Sequence, residues 1–343
     1  MAMISSRDLL QKYCPIPLPS PDSYSGKIVV VTGATSGLGF AAAVHFVNLG
    51  ASQVIITGRD ASKAESAKKR IKEATGHKGH DKIKIMLLDM NQYSSIVSFV
   101  NELKQIREGR GGVDYVLLNA GVGAATFRLG PQGLEEDLQV NAISTTLLGL
   151  LLLSSMRKER ENRDSAAHLA FVNSGQAANA DIQNWPSWAG EGGVFAHLSK
   201  EENWIGNGEA YNNSKLISLY GIMELSKLSI RPDGRPDVIV NAVCPGIVKT
   251  DITRDLGVVA TAFMTVLGKS PEHGARSLVK AGLTTEEQNG KFINFYSEEK
   301  EFLQKFNHVL LSELGKKTQS LMWIETLQEI VSKVPEVRNI IAV

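Results

Sequence analysis

The stretch IVVVTGATSGLG, residues 28–39, decides the fold of this chain. It begins with a β-branched run typical of a buried strand and continues through Gly33, Gly37 and Gly39 into an apolar-periodic segment typical of a helix. Glycines at such a junction allow a tight turn, let a pyrophosphate approach the backbone amides and let the helix pack on the strand. The helix dipole favours the same anion. The stretch therefore predicts a dinucleotide site, with the spacing GxxxGxG in place of the general GxGxxG.

Strand-like runs continue along the chain at helix-length intervals. Short, nearly continuous apolar strands between helices predict a parallel sheet that is covered on both faces. The fold class is therefore α/β, a doubly wound Rossmann-type sheet of about seven strands. After residues 28–33, the predicted strands are 53–58, 83–88, 113–118, 168–173, 237–243 and 291–296.

The pattern divides the chain into three parts. Residues 1–25 carry the proline-rich CPIPLPSPDS and predict an extended leader, either packed on the main domain or trailing from it. Residues 26–300 form the Rossmann-type domain, and 301–343 form a C-terminal helical extension without a linker. Two segments, 175–207 and 247–270, interrupt the alternation and are predicted to form the substrate pocket, since long connections are usually functional.

Bulk composition narrows the class of function. The chain has 37 Lys and Arg against 36 Asp and Glu, so it lacks the positive field that nonspecific nucleic-acid binding uses. Its two cysteines cannot build a disulfide framework, which favours a reducing, cytoplasmic setting. The histidines are scattered without ligand spacing, so no metal is predicted. The composition favours small-molecule chemistry without nucleic acid.

The longest apolar run, TTLLGLLLLSSM at 145–156, is shorter than the roughly 20 residues that cross a bilayer. We therefore expect no transmembrane segment. The run is compatible with a fully buried helix and equally with a helix at a subunit interface.

A tyrosine and a lysine stand four residues apart in GEAYNNSKLISLYG, residues 208–221. At 3.6 residues per turn, Tyr211 and Lys215 share one face of a helix. A phenol is a poor base at neutral pH, and a neighbouring ammonium favours its ionised form. The pair could thus transfer protons, although the same spacing occurs on ordinary helices.

Taken together, these motifs resemble the short-chain dehydrogenase/reductase family, whose glycine motif is TGxxxGxG and whose active site carries Tyr-x-x-x-Lys. Further motifs follow in the family's order: LLNAG at 117–121, LQVNAIS at 138–144, FVNSGQAA at 171–178 and CPGIVKTD at 244–251. The family's usual Ser-Ser is Asn173-Ser174 here.

The resemblance implies a catalytic group of Asn141, Ser174, Tyr211 and Lys215. Ser174 would hydrogen-bond the substrate oxygen, and Asn141 would hold a water that relays protons to Lys215. For the nicotinamide cofactor, the resemblance and the glycine motif together predict these contacts: Gly33, Thr35, Ser36, Gly37, Leu38, Gly39, Arg59, Asp89, Asn119, Ala120, Gly121, Tyr211, Lys215, Pro245, Gly246, Val248 and Thr250.

The end of the second predicted strand, IITGRD, bears on cofactor choice. An acid at this position accepts from ribose hydroxyls, whereas an arginine pairs with a 2′-phosphate. Arg59 comes first and Asp60 follows, and Ser36 could add a donor, so we expect NADP(H). Asp89 either contacts adenine, as in the family, or caps the following helix.

The predicted activity is NADP(H)-dependent interconversion of a ketone and a secondary alcohol, with reduction as the expected direction in cells. Long fungal or plant members and retinol-dehydrogenase-like members resemble this chain, which implies a bulky, lipophilic, secondary-metabolite-like substrate. Two alternatives stay open: a cofactor-binding sensor or scaffold, and an isomerisation without net redox change. The family's usual oligomers pair the helices that contain Asn141 and Tyr211, so a homodimer or homotetramer is predicted.

Overall fold

A computed structural model describes residues 12–76, 82–107, 111–249 and 267–341. Seven parallel strands form one sheet in the order β3-β2-β1-β4-β5-β6-β7. The strands are β1 (Ile28–Val31), β2 (Gln53–Gly58), β3 (Ile83–Leu87), β4 (Tyr115–Leu118), β5 (Ala167–Val172), β6 (Val238–Val243) and β7 (Phe292–Ile293). The doubly wound parallel sheet predicted from the apolar runs is confirmed.

The helices of the described residues connect and cover these strands. They are α1 (Gly37–Asn48), α2 (Ala61–Thr75), α3 (Tyr93–Arg107), α4 (Thr145–Lys158), α5 (Trp185–Gly190), α6 (Val194–Leu198), α7 (Asn207–Leu228), α8 (Pro271–Ala281), α9 (Glu299–Phe306), α10 (Glu313–Lys333) and α11 (Arg338–Ile341). Side chains cap several of them: Asp60 accepts from the backbone of Lys63 before α2, and Ser312 caps α10 in the same way.

Alternate residues of each central strand serve two apolar cores. Val29 and Val31 face α1, α2 and α8, whereas Val30 faces α3, α4 and α7. Every residue of β1 and β4 is buried. This two-sided burial explains why the strands read as continuous apolar runs, without polar alternation.

The strands β1, β3, β4 and β6 are each one or two residues shorter than predicted, and two other elements differ more. The strand predicted at 291–296 has only two paired residues, because the Asn294 side chain accepts from the backbone of Tyr296 and turns the chain away from the edge. The apolar run at 145–156 belongs to a longer helix, since a π-helical segment, Leu138–Ser144, leads directly into α4.

Within the described residues, the continuous helix Leu138–Lys158 has the length and hydropathy that could cross a membrane, and 89% of its apolar window is buried inside the protein. It is therefore a core helix, which is the buried alternative for the apolar run. The C-terminal extension covers part of this helix, since Met322 and Ile330 of α10 belong to the same core as Leu147 and Leu150.

Polar contacts also join the extension to the rest of the chain. Gln319 donates to Glu224 of α7 at 2.7 Å, and Tyr220 of α7 donates to the carbonyl of Val309 at 2.6 Å. The apolar run of α4 therefore offers no exposed surface to a second subunit in the described part of the chain.

Candidate active site

The parallel topology brings the predicted site residues to one edge of the sheet. β1 pairs with β2 on one side and with β4 on the other, and β4 pairs with β5. The chain leaves β1 and β4 in opposite directions, which creates the crevice where doubly wound sheets bind ligands. The glycine turn, residues 119–121, Ser174 and residues 245–248 all follow the carboxyl ends of their strands.

Steric contacts explain the glycines of the turn. Gly33 has a φ of +64°, and a Cβ on it would lie 2.9 Å from the Cα of Ala120. A Cβ on Gly39 would lie 2.5 Å from the Nδ2 atom of Asn119. Gly37 also has a positive φ, +56°, but a Cβ there would meet only open space. The first and last glycines thus permit close backbone packing, while the middle one leaves a cradle open.

The first turn of α1 suits an anion. Ser36, its N-cap residue, makes no capping hydrogen bond with its side chain, and the turn contains no acidic residue. Free backbone N–H groups at a helix start attract phosphate. On either side, the Thr35 methyl lies against Gly58 and Leu38 lies against Gly274. The turn is therefore suited to the pyrophosphate of a dinucleotide.

Thr32 holds the neighbouring turn and was not predicted as a site residue. Its hydroxyl oxygen accepts from the backbone N–H groups of Asn119 and Ala120, each at 2.9 Å. The Asn119 amide returns a hydrogen bond to the carbonyl of Thr32 at 2.9 Å. The turns after β1 and β4 are thus fixed to each other. The sequence signal that could have identified Thr32 is its position directly before Gly33.

Arg59 and Asp60 have different environments at the end of β2. Arg59 is exposed, whereas Asp60 caps α2 by accepting from Lys63 at 2.9 Å. Asp89, after β3, accepts from the backbone of Asn91 at 3.0 Å, which forms a local turn before α3. Asp60 therefore has a structural role that leaves Arg59 free for a ligand.

The segment after β6 closes the crevice on the other side. Pro245 is buried, Gly246 has a φ of +77°, and Val248 packs against Gly274 of α8. Thr250 lies outside the described residues, and so does most of the predicted 247–270 pocket segment.

Tyr211 and Lys215 lie in the first half of α7, over the end of β5. The Nζ atom of Lys215 donates to the carbonyl of Val172 at 3.2 Å. Ser174 follows β5 directly, its hydroxyl oxygen accepts from the backbone of Gln176 at 3.2 Å, and the hydroxyl is near enough to Tyr211 to lower the pKa of the phenol. Asn173 fixes this junction, since its amide donates to the carbonyl of Lys215 and its oxygen accepts from the backbone of Ser174. The geometry therefore brings the predicted serine, tyrosine and lysine together.

Asn141 approaches the same place from the π-helical segment. Its Oδ1 atom accepts from the backbone of Val122 at 2.9 Å, and its Nδ2 atom donates to the carbonyl of Val122 and to the hydroxyl of Ser214. A Cβ on Gly121 would lie 3.0 Å from Asn141 Oδ1 and 3.8 Å from Lys215 Nζ. The side chains of Asn141 and Lys215 thus face one glycine. Ser214, which sequence reasoning missed, directly precedes Lys215 and ties Asn141 to α7.

Burial shifts the proton affinities in the site. It raises the pKa of Tyr211 well above the usual range, an effect that the Ser174 hydrogen bond opposes. It lowers the pKa of Lys215 to about 8, against the charge of Asp137. In the protein alone, desolvation therefore favours the protonated phenol of Tyr211, and a lowering of its pKa by Lys215 together with an oxidised nicotinamide stays a prediction. A protonated phenol beside a readily titrated lysine is suited to donate a proton.

The 175–207 insertion contains α5 and α6, and its aromatic residues divide into two groups. Trp185 and Phe195 are buried in the same core as the C-terminal helices, so these two residues pack inside the protein and do not line a pocket. Trp188 stacks on His197 with 3.7 Å between ring centroids, and Trp204 is half-buried near the start of α7. Of these four aromatic residues, only Trp188 and Trp204 are partly exposed and so available to a ligand.

In the described ranges, no group of three His, Cys, Asp or Glu side chains could hold a metal ion.

A crevice built from a glycine turn and a tyrosine–lysine helix defines a nucleotide-dependent oxidoreductase of the doubly wound class. The family model for short chain dehydrogenases matches residues 27–189. Short-chain dehydrogenase/reductase ffsI of Aspergillus flavipes is 31% identical over 95% of this chain and 92% of its own length. Short chain dehydrogenase yanD of Aspergillus niger is 30% identical over 92% and 94%. The chain belongs to the short-chain dehydrogenase/reductase family.

Solved structures share the fold. An uncharacterised protein of Mycobacterium paratuberculosis matches with a TM-score of 0.61 and 22% identity, over 91% of this chain and 95% of that one. L-Sorbose reductase of Gluconobacter frateurii, solved with NADPH and L-sorbose, matches with a TM-score of 0.57 and 18% identity, over 80% and 97%.

Proposed function

We propose that this enzyme interconverts a ketone and a secondary alcohol with NADP(H) as its cofactor. The observation that carries the proposal is the meeting of Ser174, Tyr211, Lys215 and Asn141 beside the glycine turn. The cofactor, when bound, supplies or accepts the hydride. The chain supplies a site for its phosphates and a proton for the substrate oxygen.

Each side chain has a role that its surroundings support. Tyr211, kept protonated by burial, donates its proton to the oxygen of the ketone. The Ser174 hydroxyl, which lies near Tyr211, donates to the same oxygen and stabilises developing negative charge. The Lys215 ammonium offsets the phenolate that forms, and Asn141 fixes the loop around Gly121 beside that ammonium. In the oxidation of an alcohol, the proton moves in the opposite direction.

The choice of NADP(H) over NAD(H) rests on Arg59. Its guanidinium is exposed at the edge where the adenosine ribose of a dinucleotide would lie, and the neighbouring carboxylate of Asp60 is engaged as a helix cap. A guanidinium can pair with a 2′-phosphate through two hydrogen bonds. The L-sorbose reductase of similar fold was solved in complex with NADPH, which agrees with this choice.

A bulky, mostly apolar substrate is supported by the walls near the crevice. Trp204 and the exposed Ile205 stand before α7, and LGVVATAFMTVLG at 256–268 carries no charged residue. Apolar side chains near a crevice favour ligands that are held by contact area. Residues 250–266 lie outside the described residues, so their part in the pocket stays a prediction.

We also expect a cytoplasmic enzyme that forms a homodimer or homotetramer. The low cysteine content supports the first expectation. For the second, an interface would have to use surfaces other than the buried run of α4. Light scattering at micromolar concentration measures the assembly, and a monomer mass would refute it.

The experiment that tests the function is an assay of NADPH oxidation by the purified full-length chain over a panel of ketones, with product analysis. We expect stoichiometric conversion of a large apolar ketone into its alcohol. Cofactor binding without turnover would indicate a sensor or scaffold, and product formation without net loss of NADPH would indicate isomerisation.

A further inference from the structure

The C-terminal extension brings a positive charge to the residue that follows Ser174. Lys305 lies in the last turn of α9, and its Nζ atom is 3.2 Å from the position that a Cβ on Gly175 would take. Lys305 is exposed, so a ligand in the crevice can approach it. The proton transfer of the proposed function does not use this ammonium.

The backbone of Lys305 is held in place by aromatic packing. Phe302 and Phe306 flank it on α9, and their ring centroids lie 4.8 Å and 5.3 Å from that of Phe292 in β7. The two rings also pack on each other, with 4.4 Å between centroids, and Phe306 is buried. The helix that carries Lys305 is therefore fixed to the edge of the sheet.

The chain after α9 is fixed as well. The π-helical segment Asn307–Leu311 follows directly, and its Val309 carbonyl accepts from the Tyr220 hydroxyl at 2.6 Å. Because Tyr220 belongs to α7, the helix of Tyr211, this bond joins the extension to the catalytic helix. The approach of Lys305 to Gly175 thus follows from packing on both sides of the lysine.

Gly175 leaves the space that the ammonium occupies. Ser174, directly before it, is fixed by two hydrogen bonds: its N–H donates to Asn173 Oδ1 at 2.7 Å, and its hydroxyl oxygen accepts from the N–H of Gln176 at 3.2 Å. Consecutive Cα atoms are about 3.8 Å apart. The Lys305 ammonium is therefore one residue away from the side chain that, in the proposed function, holds the substrate oxygen.

The protein itself does not neutralise this charge. Among the described residues, no carboxylate forms an ion pair with Lys305 and no acceptor atom hydrogen-bonds it, while Glu299 at the start of α9 pairs with Lys291 at 3.1 Å. An exposed ammonium of this kind is ordinary on a surface, where water solvates it. Beside a group that holds the substrate, it can exchange that water for an anionic oxygen of the ligand.

The surroundings of the ammonium indicate which anion it suits. Gln176 and Asn179, on the turn after Ser174, are uncharged and hydrogen-bond each other. Phosphate sites in proteins combine several donors, such as an arginine cluster or the start of a long helix. One ammonium among neutral side chains instead matches a group with a single negative charge, and the carboxylate is such a group.

We propose that Lys305 binds a carboxylate of the substrate, so that the enzyme selects apolar ketones that carry an acid group a few bonds from the reacting carbonyl. The inference rests on the proposed function, which places that carbonyl at Ser174 and Tyr211. Lys305 takes no part in hydride or proton transfer. It selects the substrate and orients its carbonyl.

A pair of substrates and three variants test this. The substrates are a 4-oxo acid and its methyl ester, with the apolar group of the ketone that is reduced fastest, so that they differ in charge but not in the ketone. Lys305→Gln removes the charge, Lys305→Glu reverses it, and Lys300→Gln is the control, because Lys300 is another exposed lysine of α9. The measurement is the ratio of kcat/KM for the acid to kcat/KM for the ester, with saturating NADPH.

The wild type should favour the acid, and Lys305→Gln should lower the ratio about tenfold, because a hydrogen bond between charged groups is lost. Lys305→Glu should lower it further, since a like charge repels the carboxylate. The change should lie in KM more than in kcat. Raising the ionic strength should lower the ratio in the wild type and leave it unchanged in Lys305→Gln, because salt screens an exposed charge. Lys300→Gln should keep the wild-type ratio.

Calorimetric titration gives a readout that needs no turnover. The 4-oxo acid and its ester are titrated into the complex of the enzyme with NADP⁺, which cannot reduce a ketone. The wild type should bind the acid about tenfold more tightly than the ester, and Lys305→Gln should bind both alike. Thermal denaturation should give the same midpoint for all variants, since the exposed Lys305 supports no core contact.

The inference is wrong if the ratio is the same in Lys305→Gln and in the wild type, or if Lys300→Gln lowers it equally. The proposed function can fail separately. If the wild type reduces no ketone while its NADP⁺ complex still prefers the acid through Lys305, the proposed function is wrong and the carboxylate site stands. If ketones are reduced and neither the ratio nor the titration depends on Lys305, only the carboxylate site is wrong.

Discussion

The Nζ atom of Lys215 lies 5.6 Å from the centroid of the Tyr211 ring. Because Nζ also donates to the carbonyl of Val172, the ammonium is held between the tyrosine and the end of β5. The tyrosine helix and the sheet are thereby linked through the side chain of Lys215.

Replacing Tyr211 with Phe should lower kcat at least about a hundredfold while NADPH affinity is retained, because the ring stays and only the proton donor is lost. Steady-state assays measure kcat, and fluorescence titration with NADPH measures the cofactor affinity. Tyr220→Phe is the control on the same helix: it removes the bond to Val309, so it should lower the melting temperature and leave kcat intact. Wild-type turnover in Tyr211→Phe would contradict the assignment.

Arg59→Ala should weaken NADPH binding by roughly 1.5 to 3 kcal/mol and leave NADH binding nearly unchanged, because a charged pair to the 2′-phosphate is lost. Calorimetric titration with both cofactors measures the difference. Arg235→Ala, an exposed arginine paired with Asp233, should change neither affinity. An equal loss for NADPH and NADH would show that Arg59 does not recognise the phosphate.

Gly37→Ala should mainly weaken cofactor binding, whereas Gly33→Ala should mainly lower the free energy of unfolding. A Cβ on Gly37 meets no atom, so its positive φ costs only about 1 kcal/mol of stability, while the methyl group fills the cradle and weakens cofactor binding. A Cβ on Gly33 would meet the Ala120 backbone at 2.9 Å, so this variant should lose several-fold more stability. Chemical denaturation and cofactor titration measure both. Equal destabilisation by the two substitutions would contradict the steric argument.

Replacing Phe263 and Met264 with Ala should raise KM for a polycyclic or long-chain ketone much more than for a small diketone, with unchanged cofactor affinity, because contact area is lost only for the large substrate. Steady-state kinetics with both ketones give the comparison. Leu129→Ala, an exposed apolar residue of another loop, is the control. Equal effects on both ketones would refute the apolar pocket and leave the hydride-transfer assignment standing.

Much of the fold could be predicted because each central strand is buried on both faces. The run Gln53–Gly58 is bounded by turn residues and has the predicted limits, and the limits of β1, β3, β4, β5 and β6 differ from the predicted ones by one or two residues. β7 was overestimated, because a strand at the sheet edge is limited by its single neighbour and by Asn294, which no apolar pattern reveals.

The ordered motifs predicted which segments meet at the site, but they did not predict the contacts between side chains within it. The role of Thr32 as acceptor for two backbone N–H groups depends on β1 lying beside β4, a relationship that local sequence does not contain. Glu135 and Asp137 belong to LEEDL, residues 134–138, whose charge is typical of a solvated turn, yet both are buried. Their burial arises from the packing of residues far along the chain, such as Ser199, which accepts from the backbone of Glu135.

The packing of α10 on α7 has a consequence for how the enzyme behaves on dilution. The helix that carries Tyr211 is supported by residues of its own chain, including Gln319. An active site completed within one polypeptide does not depend on the concentration of a partner. Turnover per molecule should therefore stay constant down to nanomolar enzyme, even where a larger assembly falls apart.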